Sequence, residues 1–70
     1  MEMIDVQSSN LSQVGYDPET RTLAIVFKKG DLYHYDDVPP EVFDELMEAP
    51  STGRYFSQHI RNSFTYTKEG

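Results

Sequence analysis

The run Arg21-Thr-Leu-Ala-Ile-Val-Phe-Lys28, followed by Lys29-Gly30 and then Asp31-Leu-Tyr-His-Tyr-Asp36, constrains this chain more than any other stretch. Leu23, Ile25 and Phe27 alternate with Thr22, Ala24 and Val26, the period of two expected of a half-buried strand. Leu32 to Asp36 reads as its hairpin partner, and the loop between them sets the register. A two-residue loop at Lys29-Gly30 would need positive φ at a lysine, which its Cβ resists. A three-residue loop, Lys28-Lys29-Gly30, needs positive φ only at the glycine. That loop pairs Phe27 with Asp31, Ile25 with Tyr33 and Leu23 with Tyr35. Tyr33 and Tyr35 then share the face of Leu23, Ile25 and Phe27. A slip of one residue would turn both outward; the inward arrangement is the expected one.

Seventy residues make one domain, spanning 1–70, with residues 1–9 as a lead-in. A chain this short buries about 60% of its unfolded surface, so its stability is small. It has no cysteine, hence neither a disulfide nor a thiolate metal site. Met1-Glu-Met-Ile-Asp lacks the basic start and apolar run of a secretory leader. The longest apolar stretch, Leu23 to Phe27, is far too short to span a membrane. The expected location is the cytoplasm.

Around the hairpin, the remaining elements follow from turn and cap chemistry. Ile4 and Val6 are spaced as in a short extended segment. Leu11 to Tyr16 reads as a first strand, weakened by Gly15, and Asp17-Pro-Glu-Thr20 as a turn with proline at its second position. Val38-Pro39-Pro40 opens a helix, because a proline in the first turn forfeits no intrahelical bond. Val42, Phe43, Leu46 and Met47 form its apolar stripe, with Asp44, Glu45 and Glu48 toward water. Ala49-Pro50 ends it. Ser51 is a good N-cap for a second helix with the stripe Tyr55, Phe56, Ile60 and His59. Phe64-Thr-Tyr-Thr67 alternates like a short edge strand. The expectation is a small α+β sandwich of two layers, with a three- to four-stranded antiparallel sheet and two helices on one face.

Charge is distributed unevenly. The formal net charge is −6, which argues against a general nucleic-acid binder. Seven carboxylates and no Lys or Arg lie between Asp31 and Glu48, whereas Arg54, Arg61 and Lys68 meet no carboxylate between Ser51 and Lys68. The plain reading is a solvated acidic helix face followed by surface arginines.

Two groups of residues are candidates for a site. The start of the second helix, Ser51, Thr52, Gly53, Arg54 and Tyr55 with Arg61, combines free backbone N–H groups, a hydroxyl cap and two cations. That is the chemistry of a site for phosphate or carboxylate. At a spacing of seven residues, Arg54 and Arg61 would project from one side of an α-helix. The alternative is an ordinary capped helix, with Gly53 small because the first helix or a tyrosine ring lies against it. The aromatics form the second group. Tyrosines on a sheet can stack bases, or they can fill a core with the ring and reach a rim partner with the hydroxyl. The hairpin register favours the core role for Tyr33 and Tyr35. A mixed case, with inward tyrosines lining a pocket at the mouth of the core, stays open. On the outer sheet face, Ala24, Val26 and Leu32 form a modest apolar patch suited to a second copy of the chain. His34 and Asp36 share a strand face without a third ligand, so neither metal nor cofactor is expected. The serines, histidines and aspartates lack a nucleophile elbow, and no enzymatic role is expected.

Gly15-Tyr16-Asp17, Leu23, Phe27, Gly30, Tyr33-His-Tyr35, Val38-Pro39, Ser51-x-Gly53, Tyr55-Phe56 and Ile60-Arg61, in that order and spacing, resemble the KTSC domain. This short module stands alone in bacteria and phages and also occurs at the C-terminus of some lysyl-tRNA synthetases. The resemblance covers about the last sixty residues and implies the fold, with Gly30, Tyr33, Tyr35 and Pro39 among its fixed points. By association with synthetases it implies a role in handling RNA. It carries no established catalytic or binding residues. The expected function is therefore a non-catalytic module for RNA or a phosphate-bearing small ligand. The alternative is an interaction module, a homodimer through the outer sheet face or a partner on the acidic helix.

Overall fold

The computed structural model describes residues 1–69. Its strands are β1 (Met3–Asp5), β2 (Leu11–Asp17), β3 (Thr22–Phe27), β4 (Leu32–Tyr35) and β5 (Tyr66–Lys68). They form one antiparallel sheet in the order β1-β2-β3-β4-β5. Between β4 and β5 come α1 (Pro40–Glu48), α2 (Thr52–Tyr55) and a π-helical turn over Phe56–Ile60 that continues α2.

The central hairpin has the expected register. Leu23 faces Tyr35, Ile25 faces Tyr33, and the Phe27 amide donates to the Asp31 carbonyl at 2.9 Å. Gly30 carries φ +105, the one backbone position in the loop that requires glycine. On the other side of β3, Asp17 Oδ1 accepts from the Glu19 amide at 3.0 Å and tightens the turn. The chain leaves that turn through Arg21 at φ 58, a left-handed residue that the Asp-Pro pattern does not announce.

Two strands depart from the expectation. The lead-in is not merely extended: Met3–Asp5 pairs with Gln13–Gly15 as the first edge of the sheet. Five strands replace the three or four expected, because the open edge of β2 offers unpaired backbone groups to any short segment alongside. The last strand begins at Tyr66 rather than Phe64. Phe64 instead packs against the core, after a turn closed by the Ser63 amide on the Ile60 carbonyl.

The helices cover one face of the sheet. Leu11, Val14, Leu23, Ile25 and Tyr35 from the sheet meet Val38, Leu46, Phe56 and Ile60 from the helical layer, all buried. Pro40 occupies the first turn of α1, and Ala49, extended ahead of Pro50, stops it. Tyr16 lies flat on Phe43 with ring centroids 5.0 Å apart and donates its hydroxyl to the Val38 carbonyl. That bond ties the start of the helical layer to β2, and burial raises the Tyr16 pKa. His59 is the exception to the expected stripe: it is exposed and lies tilted against Tyr55 with ring centroids 4.6 Å apart.

Candidate functional site

The sheet is wider than the helical layer that covers it. Toward β4 and β5 the inner face runs out from under the helices, and a cleft of about 650 Å³ opens there. Its floor is aromatic: Phe27, Tyr33, Tyr35, Phe56 and Tyr66. Alternation along the strands puts them together. Asp31, Tyr33 and Tyr35 share one face of β4, and Tyr66 and Lys68 lie opposite Tyr35 and Tyr33 on β5.

Exposure grades across this floor. Tyr35 is 3% exposed and meets Phe56 edge-to-face at 5.4 Å. Tyr33 is half-buried, edge-on to Phe27 at 5.3 Å and tilted against Tyr66 at 5.3 Å. Tyr66 is 52% exposed. Burial pushes the Tyr35 hydroxyl up to a pKa of about 12, with the neighbouring Tyr66 and Tyr33 hydroxyls adding to the rise. Tyr35 is thus a core residue whose polar end reaches the cleft, while Tyr33 and Tyr66 offer ring surface.

The rim is polar, with three cations among its residues. Lys28 and Lys29 come from the β3–β4 loop, and Arg61 and Asn62 from the end of the π turn. Ser9, Asn10 and Ser57 complete it, the Lys28 amide being held by the Asn10 carbonyl at 2.9 Å. Asp31 is the one carboxylate in the lining.

The six residues singled out at the second helix are not brought together. Arg61 lines the cleft; Ser51, Thr52, Gly53, Arg54 and Tyr55 do not. Ser51 caps α2 as expected, its hydroxyl accepting from the Arg54 amide at 3.3 Å. Gly53 is buried under the Ser8–Asn10 loop, where a Cβ would come within 2.6 Å of Ser8 Oγ and of Asn10 Oδ1. Neither the first helix nor a tyrosine explains that glycine; the loop does. Tyr55 faces the other way and donates to Glu45 Oε2 at 2.7 Å. Burial, then that hydrogen bond, pushes its pKa up to about 12. The shallow depression beside it, between Glu45, Glu48 and His59, is acidic and unsuited to phosphate.

The outer face also differs from expectation. Ala24 is only 1% exposed and offers no surface to a partner, which leaves Val26 and Leu32, each half-buried. Met3 and Met1 lie over the neighbouring Gly15. Among the described residues no group of three His, Asp or Glu is placed to hold a metal ion, and no helix is long and apolar enough to cross a membrane.

Sequence reasoning missed Lys28, Lys29, Phe27 and Tyr66 as site residues. A signal existed for the first three, since the hairpin register itself sets the lysine loop and Phe27 beside the tyrosine face.

Known proteins share this architecture. A crystal structure of a KTSC domain protein from Yersinia pestis superposes with a TM-score of 0.93 at 37% identity, over 99% of this chain and 97% of that one. An uncharacterized protein of Stutzerimonas stutzeri is 50% identical over 83% of this chain and 82% of its own length. A lysine–tRNA ligase of Nostoc punctiforme is 36% identical over 91% of this chain, a match that spans 11% of the ligase. The KTSC domain family model matches residues 7–64, and the chain belongs to that family.

Proposed function

We propose that this domain is a non-catalytic module that binds RNA or a phosphate-bearing nucleotide ligand in the cleft between Tyr33, Tyr66 and Arg61. One observation carries the reading. In a chain of net charge −6, the cleft gathers three of the six Lys and Arg residues around its aromatic floor, against one of the twelve Asp and Glu residues. Cations beside exposed rings are the chemistry of single-stranded nucleic acid, where phosphates meet charge and unpaired bases stack. The acidic remainder of the surface then repels nucleic acid everywhere else and confines it to this spot. A similar stretch within lysine–tRNA ligases supports the association with RNA, as analogy. Stacking and charge hold a ligand rather than transform it.

The test is a titration with a short 5′-phosphorylated oligouridylate followed by NMR. Resonances of Lys28, Tyr33, Arg61 and Tyr66 should move first. Three cation–phosphate contacts on a single strand imply a log affinity falling with log salt at a slope of about −2. Shifts confined to Thr52–Tyr55 would return the site to the helix start, and none anywhere would remove the reading.

A further inference from the structure

Asp31 is out of place in a phosphate site. Its carboxylate lines the cleft beside Tyr33, on the same strand face, where it opposes any anion the lysines attract. Its ion pairs do not account for it. Oδ2 is 3.9 Å from Lys29 Nζ and Oδ1 is 3.7 Å from Lys68 Nζ. Both distances exceed hydrogen-bond range, and exposed pairs of this kind contribute little. Among the described residues no side chain or backbone group donates a hydrogen bond to either oxygen, so its acceptor capacity is free. Asp31 lies two residues from Tyr33 along the strand, about 7 Å. That is the reach from a base stacked on a ring to the hydroxyl of its own ribose.

We propose that Asp31 selects ribonucleotides over deoxyribonucleotides in this cleft, by accepting a hydrogen bond from the ribose 2′-hydroxyl of a base stacked against Tyr33. The inference rests on the cleft being a nucleotide site. The 2′-hydroxyl is the group by which a protein separates RNA from DNA at a given position, and a charged acceptor makes that bond strong. The repulsion Asp31 exerts on phosphate falls equally on both sugars, so its advantage lies in the ratio of the two affinities.

The experiment compares 5′-phosphorylated hexauridylate with hexadeoxyuridylate, which share their base and phosphates, by fluorescence anisotropy at low salt. The native chain should prefer the ribo form by about tenfold, the equivalent of one charge-assisted hydrogen bond. Asp31→Ala should bring the ratio within about twofold, while the deoxy form binds at least as well as it does to the native chain, since a carboxylate has left the cleft. Asp31→Asn, which keeps an acceptor oxygen, should retain part of the preference. The hairpin survives either change, because it uses the Asp31 backbone carbonyl, and a thermal melt verifies this. A ratio near one in the native chain, or one unchanged in Asp31→Ala, overturns the role of Asp31 and leaves the nucleotide site standing. Failure of both oligonucleotides to bind the native chain removes the site and the inference together.

Discussion

The amide of Arg61 donates to the carbonyl of Phe56, five residues back, at 2.9 Å. This wide turn interrupts the α-helical phase begun at Ser51. It keeps Phe56 and Ile60 buried, while Arg61, which follows them, lines the cleft. In a continuous α-helix Arg54 and Arg61 would share a side; here only Arg61 lines the cleft. Single π turns are rare and recur at functional sites.

The two arginines should therefore behave differently. Arg61→Glu should weaken oligouridylate binding by about tenfold or more, since it replaces attraction by repulsion in the cleft. Arg54→Glu should change affinity less than about threefold. Both are exposed, so both variants should melt within a few degrees of the parent. Equal losses from the two would show that the ligand spans the helix start.

The tyrosines separate along the same gradient of exposure. Tyr35→Ala opens a cavity beneath Phe56 and should cost on the order of 3 kcal/mol, much of the stability of so small a domain. Tyr33→Ala should cost about half as much and Tyr66→Ala less than about 1 kcal/mol, while both weaken binding. Urea denaturation and the anisotropy titration measure the two effects on the same variants. Loss of binding without loss of stability at Tyr66 is the result that marks a working surface.

Alkaline pH should unfold the chain through Tyr35. Its pKa is raised from 10.0 to about 12, so the folded state holds the phenol proton more tightly than the unfolded state does. The stabilisation is fully present below pH 10 and is lost as pH rises through about 12. The denaturation midpoint should fall across that window, and Tyr35→Phe should flatten the fall. Tyr55, also pushed up to about 12, adds a slope of the same sign that Tyr35→Phe leaves in place. A midpoint that rose with pH would contradict the burial of both hydroxyls.

Two glycines should fail for different reasons. At Gly30 nothing lies within 4 Å of the position a Cβ would take, yet φ +105 strains any side chain, so Gly30→Val should cost about 1–3 kcal/mol. At Gly53 the obstacle is contact with Ser8 Oγ and Asn10 Oδ1, which are hydrogen-bonded to each other. Gly53→Ala should be destabilising on its own and be largely rescued by Ser8→Gly with Asn10→Gly. Calorimetry on the single, double and triple variants decides this, the Ser8→Gly with Asn10→Gly double variant measuring what loss of the Ser8 Oγ hydrogen bonds to the Asn10 and Leu11 amides costs by itself.

The central hairpin, its register and the inward tyrosines were legible in the chain itself. Local rules sufficed, because a loop of two lysines and a glycine favours the geometry that puts positive φ at the glycine, and the turn sets the pairing of Leu23 with Tyr35. Helix starts at Pro40 and Ser51 followed from capping chemistry that acts within one turn. The cleft was a different matter. It depends on how far the helical layer extends over the sheet, on a π turn that rotates Arg61 away from Arg54, and on Tyr66 arriving beside Tyr35 from thirty-one residues away. Each of those is settled by packing between distant segments, for which spacing along the chain holds no record. The sequence alone determined which residues face inward; only the tertiary structure decided which inward residues remain uncovered, because coverage is a property of two layers meeting and not of either one.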